Sequence, residues 1–302
     1  MELVNYMNNP VFTGAAVAIV TPFSAQGNID YEMLDKLIEY QIKNGTDAIV
    51  ACGTTGEAST LTDDEHKEVI EFIIKKVHKR VPVIAGTGSN DTLYSLELSK
   101  FAKQMGADAH LQVTPYYNKT TQKGIVKHFE YIADRVELPM ILYNVPSRTG
   151  LNILPETYAE LAKHTNIVAV KEANGDIAAL TKTMNLCGNS LDVYSGDDTL
   201  ILPVLALGGK GVISVLSNIM PRETHNICEL FFEGECKKSA DLQKYLIDII
   251  NSLFVETNPI PIKAALNLMG INVGECRLPL CNMSDKNHTI LKNALREYSL
   301  VK

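Results

Sequence analysis

Lysine is among the residues least often buried, because taking an ammonium out of water is costly. Yet Lys171 ends the apolar run in "IVAVKEAN", residues 167–174. A lysine there can snorkel to a rim or pair with a carboxylate, such as Glu172 or Asp197. It can also serve as a nucleophile. Desolvation disfavours the charged form of an amine, and the free amine attacks a carbonyl to form a Schiff base. Tyr143 bears on the choice: it is the fifth residue counted from Pro139, as Lys171 is the fifth from Ile167. Neighbouring parallel strands lie about 4.8 Å apart. If both side chains point inward, a phenol stands beside the amine and can pass protons while an imine and a C–C bond form.

Other groups could join them. "GTTGE" (53–57) offers the hydroxyls of Thr54 and Thr55 and backbone N–H groups in a Gly-flanked turn, which can hold a carboxylate. Arg148 follows Tyr143, and a guanidinium suits a bidentate grip on a carboxylate. Asp197 and Asp198 in "SGDD" could touch a metal, but no companion ligands accompany them. His110 begins its apolar run and reads as structural. Lys210 precedes the last such run, and Lys263 falls in a later helical region, so Lys171 alone stands within a strand at its carboxyl end.

These residues need elements to hold them. Eight short apolar runs recur at 14–22, 48–53, 81–86, 109–115, 139–146, 166–173, 191–198 and 211–216. They are nearly continuous rather than alternating, as strands buried on both faces are. Helical segments separate them. Asp30 can cap one that Gly45 stops, Thr62 and Glu65 form a capping-box pair, Asn90 or Asp91 opens a helix that Gly106 closes, and Pro155 fits a first turn. Eight β–α units predict an α/β fold, a closed (β/α)8 or TIM barrel. A doubly wound open sheet is the alternative, weakened because "TPFS" rather than a Gly-rich turn follows the first strand. We expect the barrel over residues 1–232. A helical carboxy-terminal extension, 233–302, broken at Pro259 and Pro261, would pack on it. In such a barrel, function sits at the carboxyl ends of the strands, where Lys171, Tyr143, "GTTGE", Arg148 and "SGDD" fall.

The 302 residues are 46% hydrophobic and carry a net charge of −7, which supports a large core and argues against a nucleic-acid surface. Neither a secretion signal nor an apolar stretch long enough for a membrane span is evident, so a soluble cytoplasmic protein is expected. Six cysteines lack any CxxC or zinc spacing and read as free thiols. No cofactor fingerprint or metal cluster is present, so none is expected.

"GTTGE", "VTPYYN", "YNVPSRTG", "VAVKEA", "YSGDD" and "GVISV" occur in this order, and together they resemble the dihydrodipicolinate synthase family from about residue 12 to about residue 285. The resemblance implies a class I aldolase that condenses pyruvate with L-aspartate 4-semialdehyde on the way to diaminopimelate and lysine. It implies Lys171 as the imine-forming amine and Tyr143 as its proton donor and acceptor. Thr54 would relay protons to Tyr117 of a neighbouring subunit, and Thr55 would hold the pyruvate carboxylate. Arg148 would bind the semialdehyde carboxylate, and Gly196 and Ile213 would present backbone carbonyls. A homotetramer, a dimer of dimers, is implied as well. N-acetylneuraminate lyase shares the lysine, tyrosine and barrel, but its relatives usually carry serine for Thr54 and lack Arg148. A non-catalytic carboxylate-binding barrel is the rival of another class. Family members inhibited by lysine use a set of which His66, Asn90 and Tyr116 are present. Asp63 and Tyr94 depart from that pattern, so weak or absent inhibition is expected.

Overall fold

The computed structural model describes residues 9–302. Eight strands form one closed parallel barrel in sequence order: β1 (Gly14–Ala18), β2 (Ala48–Ala51), β3 (Val83–Gly86), β4 (Ala109–Val113), β5 (Met140–Asn144), β6 (Ile167–Glu172), β7 (Asp192–Ser195) and β8 (Gly211–Ser214). The expected closed barrel is thus the observed one. The helices between and around them are α1 (Tyr31–Lys43), α2 (Asp63–Val77), α3 (Thr92–Met105), α4 (Gln122–Ala133), α5 (Pro146–Thr149), α6 (Pro155–Leu161), α7 (Ile177–Cys187), α8 (Ile201–Ala206) and α9 (Pro221–Phe232). Four more follow the barrel: α10 (Cys236–Tyr245), α11 (Ile247–Ser252), α12 (Ile260–Leu268) and α13 (Asp285–Glu297).

Local chemistry sets the helix ends. Asp30 accepts from Met33 N, the Thr62–Glu65 box is closed in both directions, and Asp91 rather than Asn90 caps α3. One expectation needs correcting. Pro261 does not break a helix, because it lies in the first turn of α12, just after Pro259 at the cap. A first-turn backbone nitrogen has no intrahelical acceptor, so a proline there loses nothing.

The strands bury both faces, but with different packing. Outward residues such as Val17, Ile49, Leu142 and Val170 join the core under the helices. Inward ones, among them Ala16, Ala18, Ala48, Ala109, Ala169, Ile141 and Ile213, fill the barrel interior. Phe12 stacks on Tyr194 with ring centroids 4.2 Å apart. Tyr194 donates its O–H to Phe12 O (2.7 Å) and accepts from Phe12 N (3.3 Å). Phe12, two residues before β1, thus packs on Tyr194 of β7 and fills the amino end of the barrel interior. The open end is therefore the carboxyl end.

Side chains fasten that open end. Asn218 donates to Ala18 O and accepts from Val20 N, joining the exit of β8 to that of β1. Asp198 Oδ2 accepts from Val215 N and Leu216 N, joining β7 to the turn after β8. The helices beyond the barrel reach it too. Gln243 donates to Asp198 O, and Lys263 Nζ lies 2.8 Å from Glu57 Oε1. No described helix is long and apolar enough to cross a membrane.

Candidate active site

The parallel register makes Tyr143 on β5 the direct partner of Lys171 on β6. Tyr143 belongs to the inward-facing cluster, and the Lys171 Nζ lies 4.4 Å from its ring centroid. Lys171 is only 6% exposed. Tyr194 flanks it on the other side, as its register partner on β7. The Tyr194 hydroxyl is committed to the Phe12 backbone, and burial raises its pKa. Tyr143 is thus the flanking tyrosine whose phenol bonds to no group among the described residues.

The carboxylates that could neutralise Lys171 are engaged elsewhere. Glu172 follows it in the strand and so points to the opposite face. Its buried carboxylate accepts from Tyr158 O–H (2.7 Å), from Asn144 Nδ2 (3.0 and 3.1 Å) and from Asn174 N (2.9 Å). Burial raises the Glu172 pKa while those bonds oppose the rise. Asp197 Oδ1 accepts from the N–H and O–H of Thr199. Among the described residues, Lys171 forms no ion pair and no hydrogen bond. Pairing with Glu172 or Asp197, the structural reading of this lysine, is absent.

Lys171 opens into a cavity of about 380 Å³. Tyr143, Thr54, Thr55, Arg148 and Gly196 line it as well, so most of the expected set is gathered in one place. Gly196 has a steric reason to be glycine. A Cβ there would stand 2.8 Å from Ala173 Cβ and 3.2 Å from Lys171 Cε. Thr55 is buried and Arg148 lies on the short helix α5 at the mouth. A second hollow of about 470 Å³ shares Thr54, Tyr143 and Arg148 and extends to Tyr94 and Tyr116.

Two expected residues lie outside the main cavity. Tyr117 is 92% exposed in the β4–α4 loop, with a left-handed φ of +68° unusual for a bulky residue. Ile213 faces the barrel interior, and Val215, two residues on, lines the cavity instead. Asp197 and Asp198 bind a threonine and two backbone amides, and among the described residues no group of three or more acidic, His or Cys side chains could hold a metal. His110 is fully buried, bonds Ser99 Oγ through Nδ1 (3.0 Å), and burial drives its pKa down to about 3.

Sequence reasoning missed contributions from the carboxy-terminal helices. Asn251, Phe254 and Asn258 line the cavity. Asn258 Nδ2 donates to Thr55 Oγ1 (3.0 Å), and Arg148 Nη2 donates to Asn258 O (3.0 Å). These partners are more than a hundred residues apart in sequence, and no local pattern announces them. Lys263 did carry a signal, as the one charge in "IPIKAALNL". At the second hollow, His66 Nε2 bonds Gly86 O (2.8 Å), and burial lowers its pKa. The Tyr94 phenol stands beside Asp63, so the two departures from the lysine-binding pattern are neighbours. Burial, with Asp63 beside it, pushes the Tyr94 phenol up to about 12.

A (β/α)8 barrel holding, at its open end, a buried lysine and a neighbouring tyrosine that bond to no described residue defines the class, a barrel with the groups that Schiff-base chemistry would use. The sequence profile of the dihydrodipicolinate synthetase family matches residues 11–298, and the chain belongs to that family. It is 55% identical over 295 residues to the 4-hydroxy-tetrahydrodipicolinate synthase of Acetivibrio thermocellus, covering 98% of this chain and 100% of that one. Its fold matches the crystal structure of dihydrodipicolinate synthase from Aquifex aeolicus with a TM-score of 0.94 and 47% identity, over 96% of this chain and 99% of that one. It also matches the chloride-inhibited dihydrodipicolinate synthase from Acinetobacter baumannii complexed with pyruvate, with a TM-score of 0.94 and 44% identity over 96% and 99% of the two chains.

Proposed function

We propose that this protein is a lyase that condenses pyruvate with L-aspartate 4-semialdehyde to 4-hydroxy-tetrahydrodipicolinate, in the biosynthesis of diaminopimelate and lysine. The observation that carries the reading is the Tyr143–Lys171 register pair, with a lysine that no carboxylate neutralises. In this reading the Lys171 amine attacks C2 of pyruvate, and water leaves to give an iminium. The iminium draws electrons from the neighbouring methyl, which loses a proton and becomes an enamine carbon. That carbon attacks the aldehyde carbon of the second substrate, and the alkoxide formed takes a proton from Tyr143. The substrate's amine then attacks C2, closes the ring and releases Lys171. The iminium itself is the electron sink, so these steps call on no cofactor.

Thr55 holds the pyruvate carboxylate in this scheme, and Arg148 at the mouth takes the carboxylate of the aldehyde substrate. Gly196 and Ile213 offer backbone carbonyls. Thr54 passes protons between Tyr143 and Tyr117 of a partner subunit in a homotetramer built as a dimer of dimers. The exposure and left-handed backbone of Tyr117 support a residue that meets its partner outside its own chain. We assign the enzyme to the cytoplasm, a reducing compartment suited to its six unpaired thiols. The helices of 233–302 are an accessory to the barrel, completing the mouth. Tyr94 stands where the inhibited members have a glutamate and Asp63 where they have a histidine, so a cationic inhibitor lacks the glutamate that would hold it, which supports weak inhibition by lysine.

A product assay tests the function. Pyruvate and L-aspartate 4-semialdehyde together should yield the cyclic product by mass spectrometry, and omission of either should abolish it. The same assay should run nearly unchanged with sub-millimolar lysine added. Cleavage of N-acetylneuraminate with no product from the semialdehyde would overturn the assignment. Strong inhibition by lysine would overturn the regulatory part alone.

A further inference from the structure

Asn258 connects the two groups to which the reading above gives the carboxylates of the two substrates. It comes from the segment before α12, far from the strands in sequence. Its side-chain Nδ2 donates to Thr55 Oγ1 (3.0 Å), while its backbone carbonyl accepts from Arg148 Nη2 (3.0 Å). The residue is 4% exposed and lines the cavity with Lys171.

The bond to Thr55 has a direction, and the direction matters. A threonine hydroxyl has one hydrogen and two lone pairs. When Asn258 donates into the oxygen, the hydroxyl hydrogen is left to point at something else. In this cavity that can be the carboxylate of a bound keto acid. The reverse orientation of the amide would point the Thr55 hydrogen at Asn258 and away from substrate. It would also leave an NH2 group buried without an acceptor. Orphaned buried donors are rarer than under-satisfied oxygens. In the orientation found, the unpaired atom is the oxygen, Oδ1, among the described residues.

That unpaired oxygen is informative. Leaving a buried acceptor unmet is costly. An apolar residue of the same size would avoid the cost, and all it would give up is the bond to Thr55. The Arg148 contact uses the backbone carbonyl, which any residue supplies. A second tie holds the same loop from the same region: Lys263 of α12 reaches Glu57, two residues after Thr55. The start of α12 therefore grips the loop of residues 53–57 at two points, one of them on a substrate-facing hydroxyl.

We propose that Asn258 is a positioning residue: its side chain orients the Thr55 hydroxyl toward the keto-acid carboxylate, while its backbone carbonyl steadies Arg148 for the other substrate. The inference rests on the function proposed above. It divides the two substrates between two parts of one residue, and that division can be measured.

The test is a double-mutant cycle read as separate KM values for pyruvate and for L-aspartate 4-semialdehyde. Asn258→Leu should raise the pyruvate KM about tenfold, the loss of one hydrogen bond to a charged ligand group. The aldehyde KM should stay within about twofold, because the backbone carbonyl remains; a lost structural contact would not separate the substrates in this way. Thr55→Val should raise the pyruvate KM by a similar factor, and the double variant should be no worse than the worse single one. If Asn258→Leu does not fold, Asn258→Asp keeps the shape. Its carboxylate can only accept, so it should raise the pyruvate KM at least as far. Equal effects on both substrates, or additive effects of the two substitutions, would overturn the inference while leaving the function standing. An unchanged pyruvate KM in Thr55→Val would remove the role given to Thr55, and the inference with it.

Discussion

Two lysines are buried near the open end of this barrel, and each stands over an aromatic ring. Lys171 Nζ lies 4.4 Å from the centroid of Tyr143, and Lys263 Nζ lies 4.2 Å from that of Phe23. The rest of their surroundings differs. Lys263 is 1% exposed and bonds Glu57 Oε1 (2.8 Å), Glu275 O (2.9 Å) and Thr21 O (3.2 Å), so each ammonium hydrogen has an acceptor. Burial still pulls its pKa below the usual lysine range, with Glu57 pulling the other way. Lys171 makes no hydrogen bond or ion pair among the described residues, and its nearest carboxylate neighbour in sequence is held on the other face by Tyr158 and Asn144. Burial alone therefore does not identify a reactive amine. The two differ in their donors: Lys263 is a fully satisfied strut, and Lys171 meets no acceptor among the described residues.

Removing each lysine should break different things. Lys171→Ala should lower kcat by on the order of 10⁴-fold or more, the scale expected when a covalent nucleophile is lost. Its melting temperature should hold or rise, because no partner is left behind unpaired. A steady-state assay beside a thermal melt reads both. A large loss of stability in Lys171→Ala would mean that the lysine is structural after all.

Lys263→Met should do the reverse. It strands the Glu57 carboxylate in the interior and should cost about 3–5 kcal/mol of stability. Adding Glu57→Gln should recover part of that in denaturant unfolding, because no buried charge then remains. Protein that stays folded should still form an imine at Lys171. A Lys263→Met protein as stable as the wild type would contradict the role of the ion pair.

The smallest effect concerns the edge of the same strut. Arg277 pairs with Glu65 through two N–H···O bonds and holds its carboxyl down to about 2, the hydrogen bond from Arg277 being the main cause. The folded-state pKa lies below the unfolded one, here 4.5, so the stabilisation is complete above about pH 4.5 and fades toward about pH 2. Unfolding of the wild type followed across that window should lose stability that a Glu65→Gln variant does not lose. Parallel pH profiles for the two proteins would argue against the pair.

The contrast between the lysines also marks what could be read in the sequence. Lys171 was legible because its position is local: an apolar run of strand length, a lysine at its end, and a tyrosine at the matching place in the preceding run. The closed barrel was legible for the same reason, from eight repeats of one local pattern. The barrel-mouth partners were not. Glu57 and Lys263 are separated by 206 residues, and Thr55 and Asn258 by 203. Such pairs arise from the way the carboxy-terminal helices fold back, which no local periodicity encodes. Pro261 misled because a proline inside a helical pattern reads as a break unless the helix start is known. Tyr194 went unnoticed because only the register shows that it is the other neighbour of Lys171.

The central claim is that Lys171 and not Lys263 carries the chemistry. Treatment with pyruvate and sodium borohydride, followed by intact-mass analysis and peptide mapping, tests it most directly. The account predicts one reduced pyruvyl group per chain, on the peptide holding Lys171, lost in Lys171→Ala and retained in folded Lys263→Met. An adduct that persists in Lys171→Ala, or none in the wild type, would contradict it.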